Sequence, residues 1–135
     1  MSKLSITSEI RVRFNETDPL GIVWHGNYIT YFEDGKVESE QEYVRGEKDG
    51  PSSYYYENGV LFYNENHERG AREGTFKRFY ATGKMWTIET YKKDQRNGNF
   101  EEYYDNEKNT IKYRATYKKG VKTYEMYYDE FGEWK

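Results

Sequence analysis

The chain has 135 residues, about one domain's worth, and only 35% of them are hydrophobic, more than half of those aromatic at 19%. This balance excludes a thick, two-layer aliphatic core, while 16 tyrosines exclude a ring-poor disordered chain and call for a thin aromatic interior whose hydroxyls reach water. A net charge of −3 gives no global attraction to nucleic acid or to an anionic membrane, and the absence of cysteine rules out disulfides and thiolate metal sites.

The first residues, Met1-Ser2-Lys3-Leu4-Ser5, lack the apolar run of a secretory signal, and no stretch has the apolar length of a membrane span, so a cytoplasmic protein is expected. Ile10, Val12 and Phe14 then alternate with Arg11 and Arg13, the pattern of a half-buried strand. That strand is placed to cover the first edge of whatever sheet follows. Thr17-Asp18-Pro19-Leu20-Gly21-Ile22-Val23-Trp24-His25-Gly26-Asn27-Tyr28 comes next. With the preceding strand, this closely resembles the opening of hotdog-fold acyl-CoA thioesterases of the 4-hydroxybenzoyl-CoA type. The resemblance implies Asp18 as the catalytic carboxylate, the His25 backbone N–H as a donor to the thioester carbonyl, and a helix beginning at Asn27 and Tyr28. Against it, Asp18 before Pro19 is an ordinary turn opener, Asp34-Gly35 would fall inside that helix, and the later hotdog strands have no visible counterpart. Residues 1–25 therefore read as a hotdog-like strand and loop segment, a relic of a gene fusion, with acyl-CoA hydrolysis as the alternative function.

From Gly26 a different rule governs the chain. Glycines at 26, 50, 74 and 98 are each followed by an aromatic pair, Tyr31-Phe32, Tyr55-Tyr56, Phe79-Tyr80 and Tyr103-Tyr104. A constant spacing in this range is the mark of a repeat architecture. Asp34-Gly35, Asn58-Gly59 and Thr82-Gly83 supply hairpin turns after the pairs. Second strands follow through Val37 and Tyr43, Leu61 and Tyr63, and Met85 and Tyr91, and a polar connection such as Arg45-Gly46-Glu47-Lys48-Asp49 leads to the next copy. His67 occupies the place of Tyr43 and Tyr91 and is expected to pack rather than to react. Because adjacent strand residues point to opposite faces, the pairs predict an aromatic ladder on each face. The copy from Gly98 has Asn106-Glu107 where a turn glycine is expected, its Tyr117 falls two residues late, and a partial copy, Tyr127-Tyr128-Asp129-Glu130-Phe131-Gly132, ends the array.

The pattern G-x-x-x-x-[YF]-[YF]-x-x-G resembles the MORN-repeat family, in its bacterial variant that carries antitoxin-like labels. The resemblance implies an all-β, elongated single-layer antiparallel meander of hairpins over 26–135 (copies 26–49, 50–73, 74–97 and 98–121, and a partial 122–135). It implies binding of proteins or membrane surfaces and no catalytic residues. Non-enzymatic protein binding through the eight paired aromatics is thus the expected function. Residues 26–49 carry three basic and seven acidic groups, and residues 74–97 six and two. The second set, Lys77, Arg78, Lys84, Lys92, Lys93 and Arg96, forms a basic band able to meet an acidic protein or a membrane surface. Two histidines without cysteine offer no metal-ligand spacing and no glycine-rich loop cradles phosphate, so no cofactor or metal is expected. Nucleic acid is not expected as a partner either, because the aromatics recur in every copy whatever its charge.

Overall fold

The computed structural model describes residues 10–17 and 23–135, with side chains described from Gly26 onward. The strands are β1 (Ile10–Thr17), β2 (Val23–Tyr31), β3 (Val37–Val44), β4 (Glu47–Tyr55), β5 (Leu61–Glu68), the two-residue β6 (Ala71–Arg72), β7 (Gly74–Phe79), β8 (Met85–Lys92), β9 (Gln95–Tyr103), β10 (Ile111–Lys118) and β11 (Val121–Tyr127). All belong to one antiparallel sheet whose order follows the sequence, with β6 branching off as a partner of β5 alone. This is the meander that the repeat predicts. β1 lies against β2, with Ile10 opposite Thr30, so the strand of the thioesterase-like segment is the first strand of the repeat sheet.

The helix implied from Asn27 is not formed. Residues 27–43 are β2, a turn at Asp34-Gly35 and β3, and no helix occurs among the described residues. An Asp-Gly pair that suits a hairpin and costs a helix about 1 kcal/mol at the glycine alone decides the local outcome.

Two kinds of turn alternate along the sheet. At the first kind, Gly35 N donates to Phe32 O at 2.9 Å and Phe32 N to Lys36 O at 2.8 Å, closing a three-residue loop. Only the glycine has positive φ, at 91°, and the neighbouring strands shift register between Thr30 and Tyr31. It is a turn ending in a glycine bulge, not the two-residue turn that Asp-Gly suggests. The same bonds recur at Gly59 and Gly83. The second kind lies in the stretches that read as polar connections. Arg45-Gly46, Arg69-Gly70, Lys93-Asp94 and Lys119-Gly120 each hold two successive residues at positive φ, with 54° and 80° at the first. These are tight two-residue hairpin turns of the type whose twist matches the strands.

In the copy from Gly98, Tyr104 N reaches Thr110 O at 2.8 Å, so the loop has five residues, and Asn109 takes the left-handed place of glycine at φ 53°. Two extra residues in this turn account for the late Tyr117. Asn109 compensates by donating from Nδ2 to Met85 O at 3.0 Å and accepting from Met85 N at 3.1 Å, which ties the longer loop to the preceding repeat.

The glycines that open the later repeats, Gly50, Gly74 and Gly98, all have positive φ at breaks in the strand pairing. Gln41 pairs with Ser52 but Tyr43 with Lys48, which leaves Gly50 in the irregular stretch at φ 110°. A Cβ there would meet Glu42 Oε1 at 2.6 Å as well as occupy a conformation that L-residues avoid.

Register assigns the two faces, because directly opposed residues share one. Tyr28, Gln41, Ser52 and Glu65 oppose one another in turn, as do Phe76, Glu89, Phe100, Ala115 and Glu125. This face holds Phe76, at 2% exposure, and Ala115, Ser39, Ser52 and Glu65, all buried. The other face runs through Glu40, Ser53, Asn64, Lys77, Ile88, Glu101 and Arg114 and is bonded by polar side chains.

Candidate functional site

The ring face is built from aromatic side chains and from cations lying on them. Phe76 is its centre, with the Tyr91 ring at 4.7 Å, His67 at 5.8 Å and Tyr63 at 6.2 Å, and Tyr63 continues to Tyr54 at 5.7 Å. Further along, Phe100 meets Tyr113 and Tyr113 meets Tyr127. Arg72 lies 4.4 Å from the centre of the Tyr91 ring, Arg96 5.3 Å from that of Tyr117, and Arg78 between Tyr63 and Trp86 at 5.2 and 5.4 Å. Such stacking holds long cations in place while leaving part of each in water.

Most of the paired aromatics are placed differently from this stack. The second members from repeat two onward clamp neighbouring repeats through their hydroxyls. Tyr56 donates to Phe79 O at 2.7 Å, Tyr80 to Tyr103 O at 2.6 Å and Tyr104 to Tyr128 O at 2.9 Å. The rings of Tyr56 and Tyr80 pack on Phe62 and Trp86. Phe32, the first in the series, has no hydroxyl and is buried at 5% exposure. Of the first members, Tyr103 donates to Glu101 Oε1 on the polar face at 2.7 Å, and Tyr55 lines a hollow there with Glu40 and Val37. Tyr31 and Phe79 are half-buried at the ends of β2 and β7. Burial pushes the Tyr103 phenol up to about 12, helped by the Glu101 carboxylate. Replacing Tyr80 by phenylalanine should cost about 1 kcal/mol in chemical denaturation, the usual net worth of one hydrogen bond, whereas Tyr124→Phe, at an exposed ring, should cost almost nothing.

The predicted basic band is not one patch. Lys77 is on the polar face, Arg78 on the ring face and Arg96 there also, 2.9 Å from Glu89. Lys84 donates to Asn106 O at one turn edge, while Lys92 and Lys93 sit at the opposite end of β8, where they line a hollow with Gln95, Asn97 and Lys119.

A polar cluster where the first repeat meets the second escaped the sequence reading. Lys48 Nζ donates to Glu65 Oε2 at 2.9 Å and to Tyr54 Oη at 3.0 Å, and Tyr54 Oη donates to Glu65 Oε2 at 3.0 Å. Burial opposes the Lys48 charge, yet the bonds to Glu65 and Tyr54 prevail and hold it above the ordinary lysine range. Burial also raises the Tyr54 phenol. His67 Nε2 is 3.9 Å from Glu65 Oε1, and its Nδ1 is buried without a hydrogen-bond partner. Burial lowers the His67 pKa, with the Glu65 carboxylate opposing and Lys48, Asp94 and Arg72 also in its field. Its contribution to stability is therefore complete above the unfolded value of 6.5 and is lost as pH falls through and below it. His67→Tyr, which installs the residue of the sister repeats, should make the melting temperature fall less than that of the parent between about pH 7 and pH 5; an unchanged pH dependence would contradict this assignment.

Asp18 lies outside the described residues. His25 lies within β2, its backbone opposite Val44, and not at a helix start. Among the described residues no group of three or more His, Cys, Asp or Glu could hold a metal ion, and no helix is long and apolar enough to cross a membrane.

Residues 24–45, 48–68 and 72–93 match a family model described as MORN repeat variant. No curated protein and no solved structure matches the chain. The three matched segments coincide with the strand pairs β2–β3, β4–β5 and β7–β8.

Proposed function

Because three segments of this chain match the MORN repeat variant, we propose that it is a non-enzymatic scaffold that binds a protein partner across the ring face of its sheet. The observation that carries this reading is the group Tyr63, Arg78, Tyr80 and Trp86, half-buried on a single-layer sheet, with the Arg78 guanidinium already held between two rings. Tyrosine, tryptophan and arginine are the residues that dominate binding hot spots, and a preorganised side chain loses little freedom when a partner covers it. The antitoxin-like role implied by the family resemblance is one case of such binding, with a toxin as the partner.

A photo-crosslinking residue placed at Trp86 should capture the partner in cells, while the same residue at Lys77, on the opposite face, should not. Equal capture from both positions, or capture from Lys77 alone, would refute the assignment of the ring face. The hollow at Lys92, Lys93 and Lys119 favours a second reading, contact with an anionic membrane surface. Salt-sensitive sedimentation with anionic vesicles that disappears in Lys92→Glu/Lys93→Glu would support it, and no binding at low salt would end it.

A further inference from the structure

Exposed apolar side chains gather at one end of the sheet. Val121 is 64% exposed, Tyr124 45%, Tyr127 53%, Phe131 81% and Trp134 72%. They surround β11, the last strand of the sheet, whose outer edge is covered over only three residues. There Lys135 N donates to Tyr127 O at 2.9 Å, Asp129 N donates to Glu133 O at 2.8 Å, and Tyr128 bridges Trp134. Among the described residues, the six of Val121–Met126 have β10 on one side and no strand partner on the other.

At three earlier places in the sheet this edge is taken. Gly70 N donates to Lys48 O, Asp94 N to Arg72 O and Gly120 N to Arg96 O, each at 2.8 or 2.9 Å. Lys122 is the next residue of that series, so its carbonyl faces outward from β11. Alternation from Tyr127, whose carbonyl already accepts on the outer side, turns the backbone of Glu125 outward as well.

We propose that β11 pairs with β11 of a second copy of this chain, antiparallel about a two-fold axis, with Lys122 of each copy opposite Glu125 of the other. Charge selects this register. A register shift at Thr116/Tyr117 puts both side chains on the ring face, where Lys122 Nζ and Tyr113 Oη each donate to Glu125 Oε1, at 2.9 and 2.7 Å. One strand therefore carries a cation and an anion on the same face, and only an antiparallel two-fold pairing sets each against its opposite in both copies at once. Tyr124 of each copy then lies beside Thr123 and Tyr124 of the other. The covered stretch at 127–129 falls just outside the paired window and does not obstruct it. An open, exposed strand edge of this kind is a ready template for another chain.

Sedimentation velocity of the full chain, followed from low to high micromolar concentration, should show a species of twice the monomer mass. Glu125→Lys sets lysine against lysine across the axis, and Lys122→Glu sets glutamate against glutamate, so each variant alone should be monomeric. Mixed one to one, the two variants set a strand with lysine at both positions against a strand with glutamate at both, and a heterodimer should return. Both positions are exposed, and far-UV circular dichroism checks that each variant keeps its sheet. A parent chain that stays monomeric throughout overturns the proposal. Dimers that survive both single substitutions, or a mixture that stays monomeric, overturn it equally.

Discussion

Replacing Phe76 by alanine should destabilise the protein by about 3–5 kcal/mol, the largest loss expected from any single ring in this sheet. Phe76 is 2% exposed and is the hub of contacts to Tyr63 and His67 on β5 and Tyr91 on β8, so both neighbouring strands lose packing against β7 at once. Among the described residues no second layer of structure can relax into the void, because the ring face there is covered by its own long side chains. The location matters as much as the size. Phe76 sits on β7, beyond β5 in the sheet order, where repeat two meets repeat three. In an array stabilised by neighbours alone, weakening one junction uncouples what lies on either side. Chemical denaturation of Phe76→Ala should therefore resolve into two transitions where the parent shows one. Phe100→Ala is the control, since Phe100 occupies the equivalent place but is only half-buried and meets one ring, Tyr113, at 5.8 Å. A loss below about 1 kcal/mol at Phe76, within the range of surface substitutions, would mean that the ring face is not the core.

The hairpin sheet was legible because its first kind of turn is written in glycines beside Asp, Asn or Thr, with an aromatic pair always at the same distance. The second kind was hidden because its leading residue is Arg45, Arg69, Lys93 or Lys119, residues whose chemistry gives no hint of a left-handed backbone at 49–54°. Propensity places lysine and arginine in solvent, and they do reach it; the twist of two paired strands dictates the rest. Period alone also could not separate clamp from core. Tyr56, Tyr80 and Tyr104 recur most regularly because each must reach a carbonyl in the following repeat, whereas the deepest ring, Phe76, has Ser52 and Tyr28 at the same place in its sister copies. The basic band dispersed for a related reason: residues adjacent in sequence on a strand are divided between faces, and the two ends of β8 lie about 23 Å apart at the rise of a strand. The polar cluster was the least visible. Lys48 and Glu65 are 17 positions apart, and only the bulge at Gly50 brings the start of β4 over the middle of β5.

That cluster sets the second large effect. Lys48→Met should destabilise the protein by about 3 kcal/mol, the lower end of the cost of breaking a buried ion pair, because the Lys48 side chain keeps 28% of its exposure and water screens part of its charge. Glu65, with 9% side-chain exposure, then holds a carboxylate whose remaining donor is Tyr54. Lys48→Met/Glu65→Leu should recover most of the loss, since it is the uncompensated charge that costs and not the absence of the pair; a double variant as unstable as the single one would show that packing of the lysine stem had been the real contribution. The alkaline limb gives an independent reading. Lys48 has a raised folded pKa, so its contribution is complete below the unfolded value of 10.5 and disappears as pH climbs through the folded one. Tyr54 and Tyr63 act in the same direction, burial having raised the first and pushed the second up to about 12, so that the unfolded chain gives up these protons first. The parent should accordingly lose stability steadily above about pH 10, with tyrosine ionisation at its ultraviolet band rising together with loss of the sheet. In Lys48→Met the lysine part of that slope is gone while the phenol of Tyr63 remains, so the variant should start less stable at neutral pH and decline less steeply. Parallel curves for the two proteins would separate Lys48 from the titration and leave the tyrosines to account for all of it.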